Sequence, residues 1–146
     1  MWKLSLIIFL ISIKSYSQDS RISLPVVKSF YKTDKPGVID SIYYANCFYY
    51  ISLYGSFNDS CLLFINDTLV INKHIKTNES LGHTMTGISF LELQYNTPIK
   101  LTIVLVNRNI YLTENLDLSS TYRILAVYLD KSKWTLNYSN HIPILE

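Results

Sequence analysis

Histidine and cysteine are the residues of this chain best suited to nucleophilic or metal chemistry. The three histidines are His74, His83 and His141, and none lies in a His-Glu-x-x-His or similar frame. Gly55-Ser56 lacks the rest of the Gly-x-Ser-x-Gly elbow that exposes a serine nucleophile. A structural zinc site needs about four closely held ligands, which the scattered histidines and the two cysteines do not supply. The sequence therefore predicts no metal, no cofactor and no enzyme activity.

Carboxylates offer two further kinds of chemistry. Calcium takes several oxygen ligands from a short loop, whereas Asn58-Asp59 and Asn66-Asp67 each offer two side chains that turn geometry explains more simply. A glycosidase uses two carboxylates about 5 to 10 Å apart, and folding can bring any of the 11 acidic residues together. A small secreted hydrolase therefore stays an alternative, and it requires a pocket that joins two carboxylates or His83 with an acid.

Aromatic side chains suggest binding rather than catalysis. The segment 39–54 is the most aromatic part of the chain, and alternation along an extended strand divides its side chains between two faces. Rings that project from a rigid sheet can stack on sugars or anchor a protein partner. Alternatively, a second layer covers the row as ordinary core. One face carries Ala45, Cys47, Tyr49, Ile51 and Leu53, and the other carries the candidate ligand-binding residues Tyr44, Phe48, Tyr50 and Tyr54.

The elements that position these residues are predicted to be short strands. No stretch shows a sustained apolar period of 3.6 residues, so little helix is expected. The segments 61–65 and 68–75 flank Asn66-Asp67 and predict a hairpin. The strand at 99–106 has one wholly apolar face, which favours a central position in a sheet. Further strands are predicted at 87–95, 110–118, 122–129 and 134–138, with Trp134 on the core and a long polar loop over 76–86.

This pattern predicts an all-β fold, an antiparallel β-sandwich of about seven to nine short strands, with a flattened β-barrel as the alternative. Residues 38–146 are expected to form a single sandwich domain. Residues 18–37 form an extended segment before it, in which the apolar stretch 22–27 is an edge-strand candidate. Pro25 argues against a central position for that stretch because proline cannot donate to a strand ladder.

The N-terminus carries the features of an export signal. Lys3 precedes an apolar run over 4–13, which is about half of the roughly twenty residues that a membrane-spanning helix needs. Ser15 and Ser17 are small residues at the two positions that a signal peptidase reads, so residues 1–17 are predicted to be a signal peptide cleaved before Gln18. The alternative is an uncleaved anchor. The predicted location is the periplasm or the extracellular space, with no stable transmembrane segment after cleavage.

Export bears on the two cysteines. Cys47 and Cys61 are an even pair, and an oxidising compartment allows them to form a disulfide. The alternative is two buried thiols that pack as small apolar side chains.

The net charge of the chain indicates which class of partner to expect. The whole chain has 13 basic and 11 acidic residues, and loss of Lys3 and Lys14 with the signal leaves the two signs equal. A neutral protein with scattered basic residues lacks the positive stripe that binds phosphate backbones, so nucleic acid is not an expected partner.

Export, neutrality and a compact β pattern without a catalytic motif lead to one functional hypothesis and its rivals. We expect a non-catalytic secreted or periplasmic binding module for a glycan or an envelope protein. A different class of function is a structural or assembly component that pairs a sheet edge with another chain. The small hydrolase is the third alternative.

Overall fold

The computed structural model describes residues 20–34, 37, 48–91 and 98–141. These residues form ten strands and no helix, and the strands make two five-stranded sheets that pack as a β-sandwich rather than closing into a barrel. The predicted sandwich is therefore confirmed, with ten strands in place of seven to nine. The strands are β1 (Ile22–Ser23), β2 (Val26–Tyr31), β3 (Phe48–Gly55), β4 (Asn58–Ile65), β5 (Thr68–Lys76), β6 (His83–Leu91), β7 (Lys100–Leu105), β8 (Ile110–Asn115), β9 (Ile124–Leu129) and β10 (Trp134–Ser139).

Sheet A has the strand order β1-β8-β7-β4-β5. The predicted hairpin is the β4–β5 pair, and its turn residues Asn66 and Asp67 both have positive φ, at 47° and 64°. Asparagine and aspartate tolerate this left-handed conformation, which matches the twist of the flanking strands. Strand β7 lies between β4 and β8, so the predicted central position is also confirmed.

Sheet B has the strand order β2-β10-β9-β3-β6. Strand β9 pairs antiparallel with β10, and β3 pairs antiparallel with β6. In contrast, β3 pairs parallel with β9, and β2 pairs parallel with β10. Parallel pairs arise here because strands far apart in the chain become neighbours, so the sheet is mixed and not wholly antiparallel.

Alternation along the strands builds the core between the sheets. In β10 the side chains of Trp134, Leu136 and Tyr138 are fully buried, so the prediction for Trp134 is confirmed. The ring of Trp134 packs 6.1 Å from that of Phe57, and Phe30 stacks on Tyr138 at 4.9 Å. At the side of the sandwich, Lys28 reaches across from sheet B to Glu114 and Asp117, at 3.3 and 2.9 Å.

The N-terminal segment divides between the two sheets at Pro25. Strand β1 pairs parallel with β8 at one edge of sheet A, and β2 pairs with β10 at one edge of sheet B. The carbonyl of Pro25 accepts a hydrogen bond from the Trp134 amide at 2.8 Å, so the proline takes part without needing a donor. The edge position expected for this stretch is observed.

One strand begins earlier than the sequence suggested. Strand β6 starts at His83 and not at Gly87, because Thr84 and Thr86 alternate inward and are buried. Met85 between them has a φ of 54°, and the β3–β6 register shifts there. The run 76–86 looked like a loop because threonine is polar by composition, although it suits a strand.

Several expectations lie outside the described residues. These are the signal peptide 1–17, the positions Tyr44 and Cys47, and the segment 92–97. A search of the described residues for a helix long and apolar enough to cross a membrane finds none.

Candidate functional site

A concave groove lies on the outer face of sheet B, and we call it the outer groove. Because Leu136 and Tyr138 of β10 point into the core, their neighbour Asn137 points outward. The register of β2, β10 and β9 then brings Ser29, Asn137 and Ala126 side by side on that face. The groove encloses about 370 Å³ and is lined by Ser29, Tyr31, Ala126, Tyr128, Asn137, Tyr138, Ser139 and His141.

Small and polar side chains form the floor of the outer groove. Ala126 is buried, and Ser29 donates a hydrogen bond from Oγ to Oδ1 of Asn137 at 2.5 Å. The Asn137 side chain also hydrogen-bonds the hydroxyl of Tyr128. Ser139 donates from Oγ to the carbonyl of His141 at 2.6 Å. The floor is therefore a fixed polar network that is short enough to leave space above it.

Aromatic rings form the two walls. On one side, the exposed ring of Tyr31 meets the imidazole of His141 edge to face, with ring centroids 5.0 Å apart. On the other side, Tyr128 stacks on Tyr54, with centroids 4.9 Å apart and planes 23° from parallel. Nδ1 of His141 is buried without a hydrogen-bond partner among the described residues. The walls thus offer flat aromatic faces above the polar floor.

Hydroxyl, amide and imidazole groups supply the polar atoms of the outer groove. The residues that line it include no aspartate, glutamate, lysine or arginine within the described part of the chain. Burial, and secondarily the neighbouring Tyr54, raise the pKa of the Tyr128 phenol, so its hydroxyl keeps its proton. Since Asn137 already bonds the Tyr128 oxygen, the phenolic proton can be donated to a ligand.

The predicted aromatic row lies next to this groove rather than in it. Tyr54 is 4 % exposed, between Tyr128 and the ring of His83 at 4.4 Å. Phe48 and Tyr50 are half-buried, and the ring of Tyr50 lies over Gly87. Tyr44 lies outside the described residues. Direct contact with a ligand from this row would therefore fall to Phe48 and Tyr50, while Tyr54 supports a wall of the groove.

Reasoning from the sequence missed the lining residues themselves. Tyr31 lies in the N-terminal segment, and Asn137 and Ser139 lie in the last strand. Their proximity depends on the parallel β2–β10 pairing, for which a single sequence gives no signal. The signal that could have found them is the alternation of Thr135, Asn137 and Ser139 with the apolar residues of β10, which is typical of a polar outer face.

The histidines occupy three separate places. His74 bonds Asn58 at 3.1 Å, and the backbone amide of Met85 donates to Nδ1 of His83 at 2.9 Å. Burial lowers the pKa of the His83 imidazole. Within the described part of the chain, no three His, Cys, Asp or Glu side chains gather as a metal site would require.

The Cys61 side chain has no exposed surface, and no disulfide joins it to another described residue. Burial, with a smaller effect from the nearby Asp59 charge, raises its pKa to about 12. The thiol is therefore protonated at physiological pH, and a protonated thiol is a poor nucleophile. Cys47 lies outside the described residues, so a bridge between the two cysteines stays a prediction.

Comparison with known proteins adds no relative to this description. No protein-family model, no curated protein and no solved structure matches the chain.

Proposed function

We propose that this protein is an exported, non-catalytic binding module that takes a neutral glycan in the outer groove. The observation that carries the proposal is the pairing of two aromatic walls with a fixed polar floor in a groove without charged side chains.

Each part of the groove suits the surface of a sugar. A pyranose ring has apolar C–H faces that pack on flat aromatic side chains such as Tyr31 and Tyr128. Its equatorial hydroxyls need donors and acceptors at fixed places, and Asn137 and the Tyr128 hydroxyl supply them. Because the floor network is already formed, binding does not require these side chains to be ordered first.

The volume agrees with this class of ligand. About 370 Å³ lies within the usual range for small-molecule sites and would hold one or two sugar rings. The groove is lined from three neighbouring strands, β2, β10 and β9, so a ligand that fills it lies across all three. A polysaccharide segment therefore fits the site better than a charged metabolite.

The test is a titration with a panel of neutral polysaccharides, namely β-glucan, xylan and galactomannan, with alginate as the acidic comparison. Tyr31→Ala removes an exposed ring and should weaken binding about tenfold, as loss of one aromatic stacking contact does. Tyr128→Phe keeps the ring and removes the hydroxyl, so a loss of several-fold is expected.

Tyr111→Ala is the matched control, because Tyr111 is a half-buried tyrosine in β8 of the other sheet. Its affinity should equal that of the unaltered protein. The proposal fails if no glycan binds saturably, or if Tyr31→Ala and Tyr111→Ala lower the affinity equally.

A second candidate function is favoured by the edge of sheet B. Strand β2 pairs on one side with β10 and leaves its other side unpaired among the described strands. Val27, Phe30 and Tyr31 of this strand are 45 %, 50 % and 60 % exposed. An edge of this length with apolar side chains can accept a strand from an envelope protein. A stable complex that Lys28→Pro abolishes, with glycan binding unaffected, would favour this function, since Lys28 lies in the same strand but outside the groove lining.

A further inference from the structure

The geometry points to a second ligand site, a cavity at one end of the sandwich that binds a small molecule through its carboxylate group. We call it the end cavity. It lies apart from the outer groove, and its ligand does not depend on the proposed glycan function. It encloses about 510 Å³, within the range of small-molecule sites, and is lined by Gly55, Ser56, Phe57, Asn58, Lys76, Thr77, Glu79, Gly82 and Arg108.

Three connections build the end cavity, and hydrogen bonds hold two of them together. The Gly55 amide donates to the Gly82 carbonyl at 3.0 Å. The amide of Phe57 donates to Oγ1 of Thr77, and the Thr77 amide donates to the Phe57 carbonyl, both at 2.9 Å. The β3–β4 and β5–β6 connections are thereby fixed to each other. The cavity is formed by the fold itself, so a ligand does not have to order it.

The third connection presents Arg108, which a buried carboxylate holds in place. Asp59 has no exposed surface, and its Oδ2 accepts from Nε of Arg108 at 3.3 Å. The same carboxylate accepts from the backbone amides of Asn107 and Arg108, at 2.8 and 3.0 Å. The Asp59 carboxylate therefore accepts hydrogen bonds from two backbone amides as well as from the Arg108 side chain. Its contact with the guanidinium is through Nε alone.

The Arg108 guanidinium keeps donor capacity for a ligand. Its side chain lines the end cavity and is 33 % exposed, and Nη2 has no acceptor among the described residues. Nη2 itself is enclosed, so an oxyanion in the cavity reaches it after a small rotation of the guanidinium and satisfies a donor that is unfavourable without an acceptor. Carboxylates match the planar fork of a guanidinium in this way.

The charge of the lining matches a monoanion such as a carboxylate. Lys76 adds a second positive charge to that of Arg108, whereas Glu79 adds a negative one. One net positive charge remains, and a single negative charge on the ligand balances it. Phe57 gives the cavity an apolar wall for the rest of the ligand.

The experiment follows backbone amide resonances of Gly55, Ser56, Thr77 and Gly82 by NMR while the protein is titrated at pH 7. The probes are phenylacetate, its neutral isostere phenylacetamide, and inorganic phosphate. We expect saturable shifts with phenylacetate, at least tenfold weaker binding of phenylacetamide, and weaker binding of phosphate. Equal affinity for the acid and the amide, or tighter binding of phosphate, would overturn the proposal.

Substitutions then identify which charged side chains of the end cavity bind the carboxylate. Arg108→Gln should abolish the phenylacetate shifts, and Glu79→Gln, at an exposed position, should tighten binding several-fold. Lys131→Gln, an exposed lysine in the turn after β9, is the matched control and should bind as the unaltered protein does. If Arg108→Gln does not fold, Lys76→Gln replaces it with an expected threefold loss. Unchanged binding in the variant used would refute the site.

Galacturonate and N-acetylalanine, titrated in the same way, distinguish a sugar acid from a peptide terminus as the source of the carboxylate. Binding of either supports the site, and binding of neither at concentrations that saturate with phenylacetate would contradict a biological carboxylate ligand. Failure of the glycan panel in the outer groove leaves these results unaffected, because different residues report them.

Discussion

Cys61 shows how burial changes the chemistry of a single residue. The sequence allows a disulfide with Cys47 or a buried thiol, and the structure encloses the Cys61 side chain in the core without a bridge to any described residue. The difference matters because a thiol titrates and a disulfide does not. The pH dependence of stability can therefore separate the two states of this residue.

We predict that the protein loses stability as the pH rises above 9. The Cys61 pKa is raised from 9.0 to about 12 in the folded protein, so between these values the unfolded chain releases a proton that the folded chain keeps. The stability contributed by this thiol is complete below pH 9 and is lost as the pH rises toward 12. At pH 10 the loss should be about 1 kcal/mol relative to pH 8.

Urea unfolding at pH 8 and pH 10 measures this effect, with Cys61→Ala as the comparison. Tyr128 and Tyr138, whose pKa values burial also raises, titrate in both proteins and cancel. The difference in unfolding free energy between the two proteins should shrink by about 1 kcal/mol at pH 10. If the difference in unfolding free energy between the two proteins is the same at pH 8 and pH 10, Cys61 carries no free buried thiol.

At the scale of the elements, glycines at two connections differ in what they contribute. Gly55 has a φ of 94°, and a Cβ placed there would lie 2.2 Å from the carbonyl oxygen of Leu129. Gly82 has a φ of 62°, and a Cβ there would have open space. Both positions favour glycine by conformation, but steric exclusion applies to Gly55 alone of the two.

Gly55→Ala should therefore destabilise the fold by about 3 kcal/mol or more, and Gly82→Ala by about 1 kcal/mol. Chemical denaturation of the two variants measures the difference. Because the backbone of Leu129 cannot move without disturbing β9, relaxation offers little relief to Gly55→Ala. Similar losses in the two variants would contradict the close contact between β3 and the end of β9.

Local sequence patterns predicted a turn or a strand correctly where a single physical property of the residues determined it. Asn66-Asp67 marked the β4–β5 turn because both residues accept positive φ, and the apolar face of β7 marked a central strand. The start of β6 was placed four residues late because Thr84 and Thr86 are polar yet buried. Thr84 resolves this by donating from Oγ1 to the Leu53 carbonyl at 2.9 Å, a partner that only the folded chain provides.

The candidate sites were less predictable, because each combines residues from distant strands. Tyr31 meets His141 through the pairing of β2 with β10, and Arg108 meets Asp59 through the order of sheet A. Aromatic and charged residues at these positions are visible in the sequence, but their neighbours are not. Phe48, Tyr50 and Tyr54 of the predicted row lie in β3 of sheet B, and the register of the strands decides which rings border open space.

At the scale of the whole molecule, we predict that the protein is exported and shortened. The intact mass of the protein recovered from the periplasm of a Gram-negative host should correspond to a chain that begins at Gln18. Ser17→Phe should block cleavage because signal peptidase requires a small residue before the cut. Ser20→Phe, beyond the recognition site, is the control and should be processed normally. Recovery of the unshortened mass for the unaltered protein would instead support a retained anchor.

The pairing of β2 with β10 also determines when sheet B can form during synthesis of the chain. Val26 lies opposite Trp134, more than a hundred residues later in the chain, so β2 has no sheet to join until the last strand has been made. Sheets that depend on such distant partners close slowly, over milliseconds to seconds. A growing chain that lacks residues 134–139 thus cannot complete sheet B. The arrangement that places Tyr31 beside His141 is also one that postpones the completion of this sheet until the last strand has been synthesised.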